Sequence, residues 1–359
     1  MSTAMRPLTV AVVGATGVVG RTMMSVLLER DFPVAELRLL ASGRSVGMSL
    51  PVAGRQIAVL EARPEAFDGV DLALFSAGAD VSRELAPEAV SHGCTVIDNS
   101  SAWRMEPRIP LVVSQVNPDD LEAHEGIIAN PNCSTMQLAP LLMALRDGPG
   151  LERVVVDTYQ AVSGTGAEAI AELETQIRAH AAGAPKEAAV YPHAIAFNAL
   201  PEIDTFLPNG YTKEEWKVVA ESRKILHLPD LRVSCTAVRV PVFVGHSEAV
   251  HVETRAAITP DEARALFAKV PGVIVRDVPT AHGYPIATDA AGHDEIYVGR
   301  VRQDVSIPDG RGLVFWCVSD NVRKGAATNA VELAQLLAAR GWVAPASRRT
   351  PHAEAETPA

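Results

Sequence analysis

The sequence lacks the features of a disulfide-bonded, zinc-binding or membrane-spanning protein. Its four cysteines lie far apart, at Cys94, Cys133, Cys235 and Cys317, and no two of them form a C-x-x-C pair. This number and spacing predict reduced thiols in the cytoplasm rather than a disulfide framework or a zinc site. No apolar stretch approaches the roughly 18 residues that span a bilayer. We therefore expect neither a membrane partner nor a bound metal.

Positive charge is also scarce. The 32 Lys and Arg residues are outnumbered by 43 Asp and Glu residues, which gives a net charge of −11. This balance argues against a nucleic acid or an anionic membrane as a partner, although it leaves room for a local basic pocket. With 359 residues, of which 48% are hydrophobic and 21% charged, the chain is long enough for two globular domains.

Near its start the sequence contains a glycine-rich turn between a predicted strand and a predicted helix. Residues 8–13 form a continuous apolar run, typical of a strand buried on both faces, and a helical pattern continues to Arg30. Between them lies Gly14-Ala-Thr-Gly17-Val-Val-Gly20, whose glycines let the backbone approach a pyrophosphate at the helix N-terminus. The spacing is G-x-x-G-x-x-G rather than G-x-G-x-x-G, so a turn that serves only packing is the alternative.

The end of the second predicted strand, residues 36–41, indicates which dinucleotide binds. A site that prefers NAD places an Asp or Glu there to hold the ribose 2′-hydroxyl. This chain has Ser42-Gly43-Arg44-Ser45 instead. Because a guanidinium offers planar, bidentate donors to a phosphate, Arg44 favours NADP. A solvated loop arginine is the alternative.

Two further predicted strands, residues 71–75 and 95–98, contribute to the same sheet edge. The first ends in Ser76-Ala77-Gly78, small residues that let the backbone lie close to a ligand. The second is followed by Asn99-Ser-Ser-Ala-Trp-Arg104, at the carboxyl edge where open α/β sheets bind ligands. Arg104 is therefore a candidate anion-binding residue, although an Arg after a Trp is more often on the surface.

A candidate nucleophile lies in residues 128–142. The pattern predicts a strand that ends at Asn130-Pro131 and a helix that begins near Cys133. A thiol there lies among unpaired backbone N–H groups at the positive end of the helix dipole, which favours the nucleophilic thiolate. The alternative is an ordinary buried cysteine. The Asn-Pro-Asn-Cys-Ser-Thr context favours the reactive thiol.

The chain after this helix predicts a second unit. A strand over residues 153–159 leads to Gln160-Ala-Val-Ser163-Gly164-Thr-Gly166, and a helix follows over residues 167–182. Residues 183–215 are rich in proline and resemble a loop. Thr212 and Glu215 form a predicted capping box for a helix that continues to about Leu226.

On that helix two charged pairs recur at i, i+3 spacing, Glu214 with Lys217 and Glu221 with Lys224. Surface ion pairs are one interpretation of both.

The last third of the chain predicts mainly strands. Residues 233–244 alternate as a strand that carries Arg239, and His246 follows. His251 lies five positions after His246. An odd offset along an extended chain places the two rings on opposite faces, so a metal pair is not expected. Strands over residues 250–258, 297–303 and 312–318 predict a mostly antiparallel sheet. A final helix over residues 326–340 and a disordered tail over residues 343–359 complete the prediction.

Together these residues resemble the bacterial, NADP-dependent aspartate-semialdehyde dehydrogenase family. The resemblance runs from about Leu8 to Arg340, and its motifs occur in order along the chain. They are Gly14-Ala-Thr-Gly-Val-Val-Gly20, Asn99-Ser-Ser-Ala-Trp-Arg104, Asn130-Pro-Asn-Cys-Ser-Thr135, Gln160-Ala-Val-Ser-Gly164, Glu214-Glu-Trp-Lys217, and Arg239 with His246.

The resemblance implies a reaction and a role for each motif. The reaction is NADPH-dependent reduction of L-aspartyl-4-phosphate to L-aspartate 4-semialdehyde with release of phosphate, through a cysteine thioester. It belongs to the aspartate pathway to lysine, threonine, methionine and isoleucine. The implied catalytic residues are Cys133 as nucleophile, His246 as acid and base near neutral pH, and Gln160, which positions the acyl group.

The substrate contacts implied are Arg239 to the carboxylate, Glu214 to the amino group, and Arg104 with Lys217 to the phosphate. The Asn132 side chain and the Cys133 N–H are candidate donors to the acyl oxygen. The expected NADP contacts are Gly14, Thr16, Gly17, Val18, Val19, Ser42, Arg44, Ser45, Ser76, Ser163, Gly164 and Asn321.

The fold expected is α/β. Residues 1–132, completed by a C-terminal helix over residues 326–342, would form a Rossmann-type, parallel-sheet NADP-binding domain. Residues 133–325 would form an α+β catalytic and dimerisation domain with a mostly antiparallel sheet, and residues 343–359 the tail. The resemblance also implies a homodimer or homotetramer.

Other interpretations of the same motifs remain. N-acetyl-γ-glutamyl-phosphate reductase shares the two-domain plan and the thiol chemistry, but its substrate has no free amine, so Glu214 would have no purpose there. A glyceraldehyde-phosphate dehydrogenase is disfavoured by Arg44 and by the residues around Cys133. A non-catalytic NADP-binding dimer is the alternative from another class, and such a protein should have lost the nucleophile or the base.

Overall fold

The computed structural model describes residues 6–348, and the first of its two sheets is built from the N-terminal part of the chain. Its strands are β1 (Leu8–Val13), β2 (Val34–Ala41), β3 (Ser49–Val52), β4 (Arg55–Glu61), β5 (Leu72–Phe75), β6 (Thr95–Asp98) and β7 (Ile127–Ala129). They lie in the order β3-β4-β2-β1-β5-β6-β7, and every pairing is parallel except that of β3 with β4. The order reverses between β1 and β5, so the carboxyl ends of these strands form the crevice where such sheets bind ligands.

The helices pack on both faces of the first sheet and against one face of the second. They are α1 (Val18–Glu29), α2 (Ala79–Ser91), α3 (Cys133–Asp147), α4 (Ala167–Ala181), α5 (Lys213–Ile225), α6 (Pro260–Phe267), α7 (Ala287–Ala290) and α8 (Asn329–Arg340). Helices α1 and α8 share one core with the first sheet, in which Leu27, Leu74 and Leu337 are buried together. Helix α2 covers the opposite face, where Leu85 packs with Phe75. The α/β class predicted from the sequence is confirmed.

The second sheet comes from the rest of the chain. Its strands are β8 (Leu151–Gln160), β9 (Arg232–Arg239), β10 (His246–Thr254), β11 (Val273–Val275), β12 (Ile296–Gln303) and β13 (Gly312–Ser319). In the order β11-β12-β13-β10-β8-β9, the three inner pairings are antiparallel and the two outer ones parallel. One face buries its apolar residues against α3, α5 and α6, as Leu141, Val219 and Phe267 illustrate.

Two element boundaries differ from the sequence prediction. Strand β9 ends at Arg239 rather than at residue 244, because Pro241 has no N–H for a ladder and Gly245 adopts φ +99°. The next strand therefore begins early, at His246. The last helix begins as a π-helical segment, Arg323–Thr328, before α8. Such segments are rare and often lie at functional sites.

The chain after α8 differs from the predicted disordered tail. Val343 packs against the core of the first sheet, and its carbonyl accepts a hydrogen bond from the Thr95 hydroxyl. The Ser347 hydroxyl donates to Glu125 over 2.6 Å. The tail prediction is therefore wrong for residues 343–348, while residues 349–359 lie outside the described part of the chain. Among residues 6–348, no helix combines the length and apolarity that crossing a bilayer requires.

Candidate active site

Three of the predicted site residues meet at one edge of the second sheet. Strands β8 and β9 run parallel and end there with Gln160 paired in register to Arg239. Strand β10 runs antiparallel to β8 and begins at the same edge with His246. All three side chains are buried, on the face covered by helices. The pairing and direction of β8, β9 and β10 therefore bring Gln160, Arg239 and His246 together, although they are far apart in sequence.

The N-terminus of α3 faces this edge from the first sheet. Strand β7 ends at Ala129 and α3 begins at Cys133, as the sequence predicted. Asn132 is the N-cap, and its Oδ1 accepts hydrogen bonds from the N–H groups of Ser134 (3.0 Å) and Thr135 (3.4 Å). This cap fixes the direction of the first helical turn and so the position of the Cys133 side chain, which is only partly buried.

A cavity of about 370 Å³ lies between these two edges. The predicted site residues that line it are Val19, Arg104, Asn132, Cys133, Gln160, Ser163, Gly164, Glu214, Lys217, Arg239 and Asn321. Other lining residues, to which the sequence assigns no individual role, include Asn99, Ser101, Thr165, Ile203, Asp204 and Gly325. His246 lies behind Gly164, where an added Cβ would approach its Nε2 to 3.3 Å and the Arg239 Nη1 to 3.1 Å. Glycine at position 164 therefore keeps both side chains close to the cavity.

Two charged side chains of α5, Glu214 and Lys217, line the cavity. Glu214 and Lys217 form an ion pair of 3.0 Å, but it is not a surface pair, because Glu214 is buried. Glu214 Oε1 also accepts hydrogen bonds from the side-chain amides of Asn132 (2.8 Å) and Gln160 (3.1 Å). Burial raises the pKa of Glu214, but Lys217 and these two amides outweigh it and lower the pKa to about 2. Glu214 is therefore a permanent anion beside Cys133.

The second charged pair on α5 differs from the surface-pair interpretation. Glu221 is buried and pairs with Arg104 Nη1 over 3.0 Å, while its other oxygen accepts the Asn132 N–H over 2.7 Å. Lys224 instead donates to the carbonyl oxygens of Arg104, Glu106 and Ile109. Glu221 thus contacts both Arg104, the predicted phosphate-binding residue, and Asn132, the N-cap of α3. The i, i+3 spacing with Lys224 marks Glu221 in the sequence but does not reveal this role, because Arg104 and Asn132 are distant in sequence.

The surroundings of Cys133 act against the thiolate expected from its place at a helix start. Although Cys133 is only partly buried, the protein atoms around its sulfur withdraw the thiol from water and raise its pKa to about 12, and the nearby Glu214 carboxylate adds to the rise. Arg239, Arg104 and Lys217 act in the opposite direction but do not prevail. Asn132 already occupies two N–H groups of the first turn. The surroundings of Cys133 therefore favour the thiol, and the thiolate expected from the helix start stays a prediction.

His246 also differs from the expected acid and base near neutral pH. Its Nδ1 accepts the Ala161 N–H over 3.0 Å. A backbone N–H can only donate, so the neutral ring carries its proton on Nε2, beside the cavity. Burial, with help from Arg239, lowers the pKa of His246 to about 3. The ring is therefore neutral at pH 7 and presents a hydrogen-bond donor.

The glycine-rich turn between β1 and α1 forms a backbone cradle at the other end of the crevice. A Cβ at Gly20 would lie 2.3 Å from the carbonyl oxygen of Gly14, and one at Gly14 would lie 2.4 Å from that of Ser76. Neither position has room for a side chain. Helix α1 has no side-chain cap after Gly17 and no acidic residue in its first turn, so N–H groups remain open to an anion. Thr16, Gly17, Val18 and Val19 form this turn.

The remaining predicted cofactor residues lie at two separate places. Ser42, Arg44 and Ser45 follow the carboxyl end of β2, where Arg44 is exposed. Near the cavity, Asn321 Nδ2 donates to Ser163 Oγ over 2.9 Å, and Asn321 Oδ1 accepts the N–H of Gly245. His246 and His251 lie on opposite faces of β10. Within residues 6–348 there is no group of three or more His, Cys, Asp or Glu side chains that could hold a metal ion.

The chain matches two family models. Residues 9–124 match the model described as "Semialdehyde dehydrogenase, NAD binding domain", and residues 138–324 match "Semialdehyde dehydrogenase, dimerisation domain". The chain is also 53% identical over 339 residues to the aspartate-semialdehyde dehydrogenase of Aquifex aeolicus, which covers 93% of this chain and 99% of that relative.

Two solved structures are similar as well. The Vibrio cholerae aspartate semialdehyde dehydrogenase II complexed with ASA has a TM-score of 0.89 at 46% identity, over 92% of this chain and 98% of that chain. The Candida albicans aspartate semialdehyde dehydrogenase with NADP has a TM-score of 0.75 at 25% identity, over 94% and 99% of the two chains.

Proposed function

This chain belongs to the aspartate-semialdehyde dehydrogenase family, and we propose that it catalyses the NADPH-dependent reduction of L-aspartyl-4-phosphate to L-aspartate 4-semialdehyde. The observation that carries the proposal is that Cys133 and three cationic side chains line one cavity. Arg104 and Lys217 are the predicted phosphate-binding residues, and Arg239 is the predicted carboxylate-binding residue. An acyl phosphate with an α-carboxylate needs this combination of nucleophile and cations. The reaction would serve the pathway to lysine, threonine, methionine and isoleucine.

In the first half of the proposed reaction the Cys133 sulfur bonds to the acyl carbon and the carbon–oxygen bond to phosphate breaks. Arg104 and Lys217 hold the leaving phosphate. The thiol proton leaves on that phosphate, which becomes hydrogen phosphate, so no separate base is needed to balance the step. Because desolvation and Glu214 raise the pKa of Cys133, formation of its thiolate would depend on the arriving substrate.

In the second half the thioester is reduced and the Cys133 sulfur is released as thiolate. NADPH supplies the hydride. The His246 Nε2–H is our candidate donor to the acyl oxygen as negative charge develops there, with the Cys133 N–H and Asn132. A proton from solvent then restores the thiol. Gln160, whose side-chain amide donates to Glu214 over 3.1 Å, would position the acyl group.

The residues of the turn fit a dinucleotide phosphate, because the cradle has no room for a Cβ and α1 leaves its first N–H groups uncapped. Arg44 supports NADP over NAD. Glu61 lies at the end of the neighbouring strand β4, in register with Ala41, and a carboxylate there favours a ribose hydroxyl over a phosphate. Turnover with NADP compared with NAD measures which of these two side chains dominates.

Glu214 supports the aspartyl substrate over the N-acetylated rival. Its low pKa keeps it anionic, and an ammonium group is a fitting partner for a buried carboxylate. N-acetyl-γ-glutamyl phosphate has no such group. The proposed homodimer or homotetramer is supported by the outward face of the second sheet, where Tyr159 and Ile286 are 38% and 44% exposed and Trp316 packs beside Tyr159.

We also propose the domain division expected from the sequence, with residues 1–132 and 326–342 as the cofactor-binding domain and residues 133–325 as the catalytic one. The core shared by α1, β5 and α8 supports it. The free cysteines support a reducing compartment such as the cytoplasm.

Phosphate-dependent NADP reduction by aspartate semialdehyde tests the proposal, with NAD run in parallel. In the opposite direction, NADPH oxidation is compared on aspartyl phosphate and N-acetyl-γ-glutamyl phosphate. We expect turnover with the aspartyl compounds and NADP. Turnover only with the N-acetylated substrate would replace this function by its rival, and NADPH binding without turnover would support the non-catalytic alternative.

The role of His246 has its own test. Nitrogen NMR of ¹⁵N-histidine-labelled enzyme should assign the His246 proton to Nε2 and show no titration between pH 6 and 8. His246→Asn should lower the rate of the chemical step without removing NADPH binding. A His246 signal that titrates near pH 6.5 would restore the acid and base role, and unchanged kinetics would remove His246 from the mechanism.

A further inference from the structure

The loop before α5, in the proline-rich region that the sequence analysis left uninterpreted, holds a carboxylate in the cavity. Leu200 exchanges two backbone hydrogen bonds with Arg239, of 2.9 and 2.8 Å. Further along, the Lys213 N–H donates to the Thr205 carbonyl over 2.9 Å. The segment is thus fastened to the end of β9 and to the start of α5. Asp204 lies between these attachments and lines the cavity.

The conformation of Asp204 is specific. Its φ of +68° is in the left-handed region, which Asp and Asn tolerate better than most residues. Its Oδ1 accepts the N–H of Thr205 over 2.8 Å, and its Oδ2 lies 3.0 Å from Lys217 Nζ. The backbone turn and the local hydrogen bond therefore direct the second oxygen toward Lys217.

Lys217 is shared between two carboxylates, and they hold it unequally. Its Nζ lies 3.0 Å from Glu214 Oε2 and 3.0 Å from Asp204 Oδ2. The Glu214 side chain is 8% exposed and also binds two amides, whereas the Asp204 side chain is 34% exposed. Burial raises the pKa of Asp204, but the Thr205 N–H and Lys217 outweigh it, so Asp204 is ionised at pH 7. Asp204 is the partner that solvent or a ligand displaces more easily.

We propose that Asp204 sets the affinity of the phosphate site, because it occupies Lys217 between turnovers and repels phosphate bound there. The inference rests on the proposed function, in which Lys217 binds phosphate. A phosphate dianion that reaches Lys217 comes close to the Asp204 carboxylate, and two like charges at such a distance weaken binding. The same repulsion favours departure of phosphate after the thioester forms. Asp204 thus weakens phosphate binding at Lys217 and promotes phosphate release.

The test is Asp204→Asn, which removes the charge and keeps both the acceptor for Thr205 and the tolerance of positive φ. We expect the KM for inorganic phosphate to fall about fivefold in phosphate-dependent NADP reduction, an effect reduced by solvent screening at this half-exposed group. The KM for aspartate semialdehyde should change by less than about twofold. Asp204→Gly, which also suits the backbone, should act in the same direction.

Two further measurements make the test independent of turnover and of total charge. Inorganic phosphate should protect Cys133 from alkylation, and half-protection should need about fivefold less phosphate in Asp204→Asn. Asp119→Asn is the matched control, because Asp119 pairs with Arg340 at the surface, away from the cavity, and its removal changes the net charge equally. This control should keep the wild-type phosphate dependence.

Unchanged phosphate dependence in both Asp204 variants would overturn the inference and leave the proposed function intact. A higher KM for aspartate semialdehyde with an unchanged KM for phosphate would also overturn it, and would assign Asp204 to the substrate ammonium group. A wild-type enzyme without phosphate-dependent turnover would overturn the proposed function itself, and the inference with it.

Discussion

Two helix N-termini face the same crevice and use the same backbone groups differently. Helix α1 follows Gly17 without a side-chain cap and without an acidic residue in its first turn. Helix α3 follows Asn132, whose side chain already accepts the N–H groups of Ser134 and Thr135. The first helix therefore keeps its donors for an anionic ligand, whereas the second uses them to hold the direction of the chain at Cys133.

A helix N-terminus does not by itself produce a thiolate. At Cys133 the charge state is set by burial and by Glu214, both of which raise the thiol pKa. The groups that act against this rise, Arg239, Arg104 and Lys217, belong to other elements. Formation of the Cys133 thiolate therefore depends on how a bound substrate changes the balance of these charges. Anion binding at α1 depends mainly on backbone N–H groups.

The largest effect should follow from removing the group that α3 presents. Cys133→Ala should lower phosphate-dependent kcat/KM by at least about 10³-fold, because no other group in the cavity replaces the nucleophile. NADPH binding, measured by nucleotide fluorescence, should be unchanged because it uses α1. Substantial turnover in this variant would rule out a thioester on Cys133.

The reciprocal change breaks the backbone cradle at α1. Gly20→Ala places a Cβ 2.3 Å from the Gly14 carbonyl oxygen, so the turn must move. We expect the KM for NADP to rise by about tenfold or more, since the displaced N–H groups no longer match the phosphates. Ser25→Ala, on the same helix outside the turn, is the control. A wild-type KM for NADP in Gly20→Ala would show that the cradle does not bind the cofactor.

The charge state at α3 can be measured through the pH dependence of Cys133 alkylation by iodoacetamide. Because the thiol pKa is raised, the thiolate is scarce at pH 7, and the rate should keep increasing through pH 9 without a plateau. Glu214→Gln removes an anion that raises this pKa, so the rate at pH 8 should increase about tenfold.

The surface variant Glu174→Gln, which loses only its exposed pair with Arg178, should keep the wild-type profile. A plateau near pH 7 in the wild-type enzyme would restore the thiolate expected from the helix dipole.

The smallest effect should come from the cap itself. Asn132→Ala removes the acceptor for two N–H groups of α3 and should lower the free energy of unfolding by about 1 kcal/mol, measured by urea denaturation. Asn132→Ser, which keeps a capping oxygen, should recover most of this loss. Equal destabilisation by Ala and Ser would mean that the contact of Asn132 with Glu214, rather than the cap, stabilises the helix.

Local features of this chain could be predicted because their causes lie within a few residues. The capping box of Thr212 and Glu215 opens α5 as expected, and the Asn130-Pro131 stop precedes α3. Strand β11 was missed because three residues carry no periodic signal. Glu221 and Asp204 were missed as site residues because their partners, Arg104 and Lys217, become neighbours only when separate elements pack.

The α/β fold class, the glycine cradle and the residue types that this chemistry requires could be predicted from the chain, because they depend on local pattern and backbone sterics. Which charges are free depends instead on how separate elements pack. Packing raises the pKa of the Cys133 thiol, keeps His246 neutral with its proton on Nε2, and gives Lys217 two carboxylate partners. Desolvation and Coulomb interactions depend on distances in space, which the order of residues along the chain does not contain.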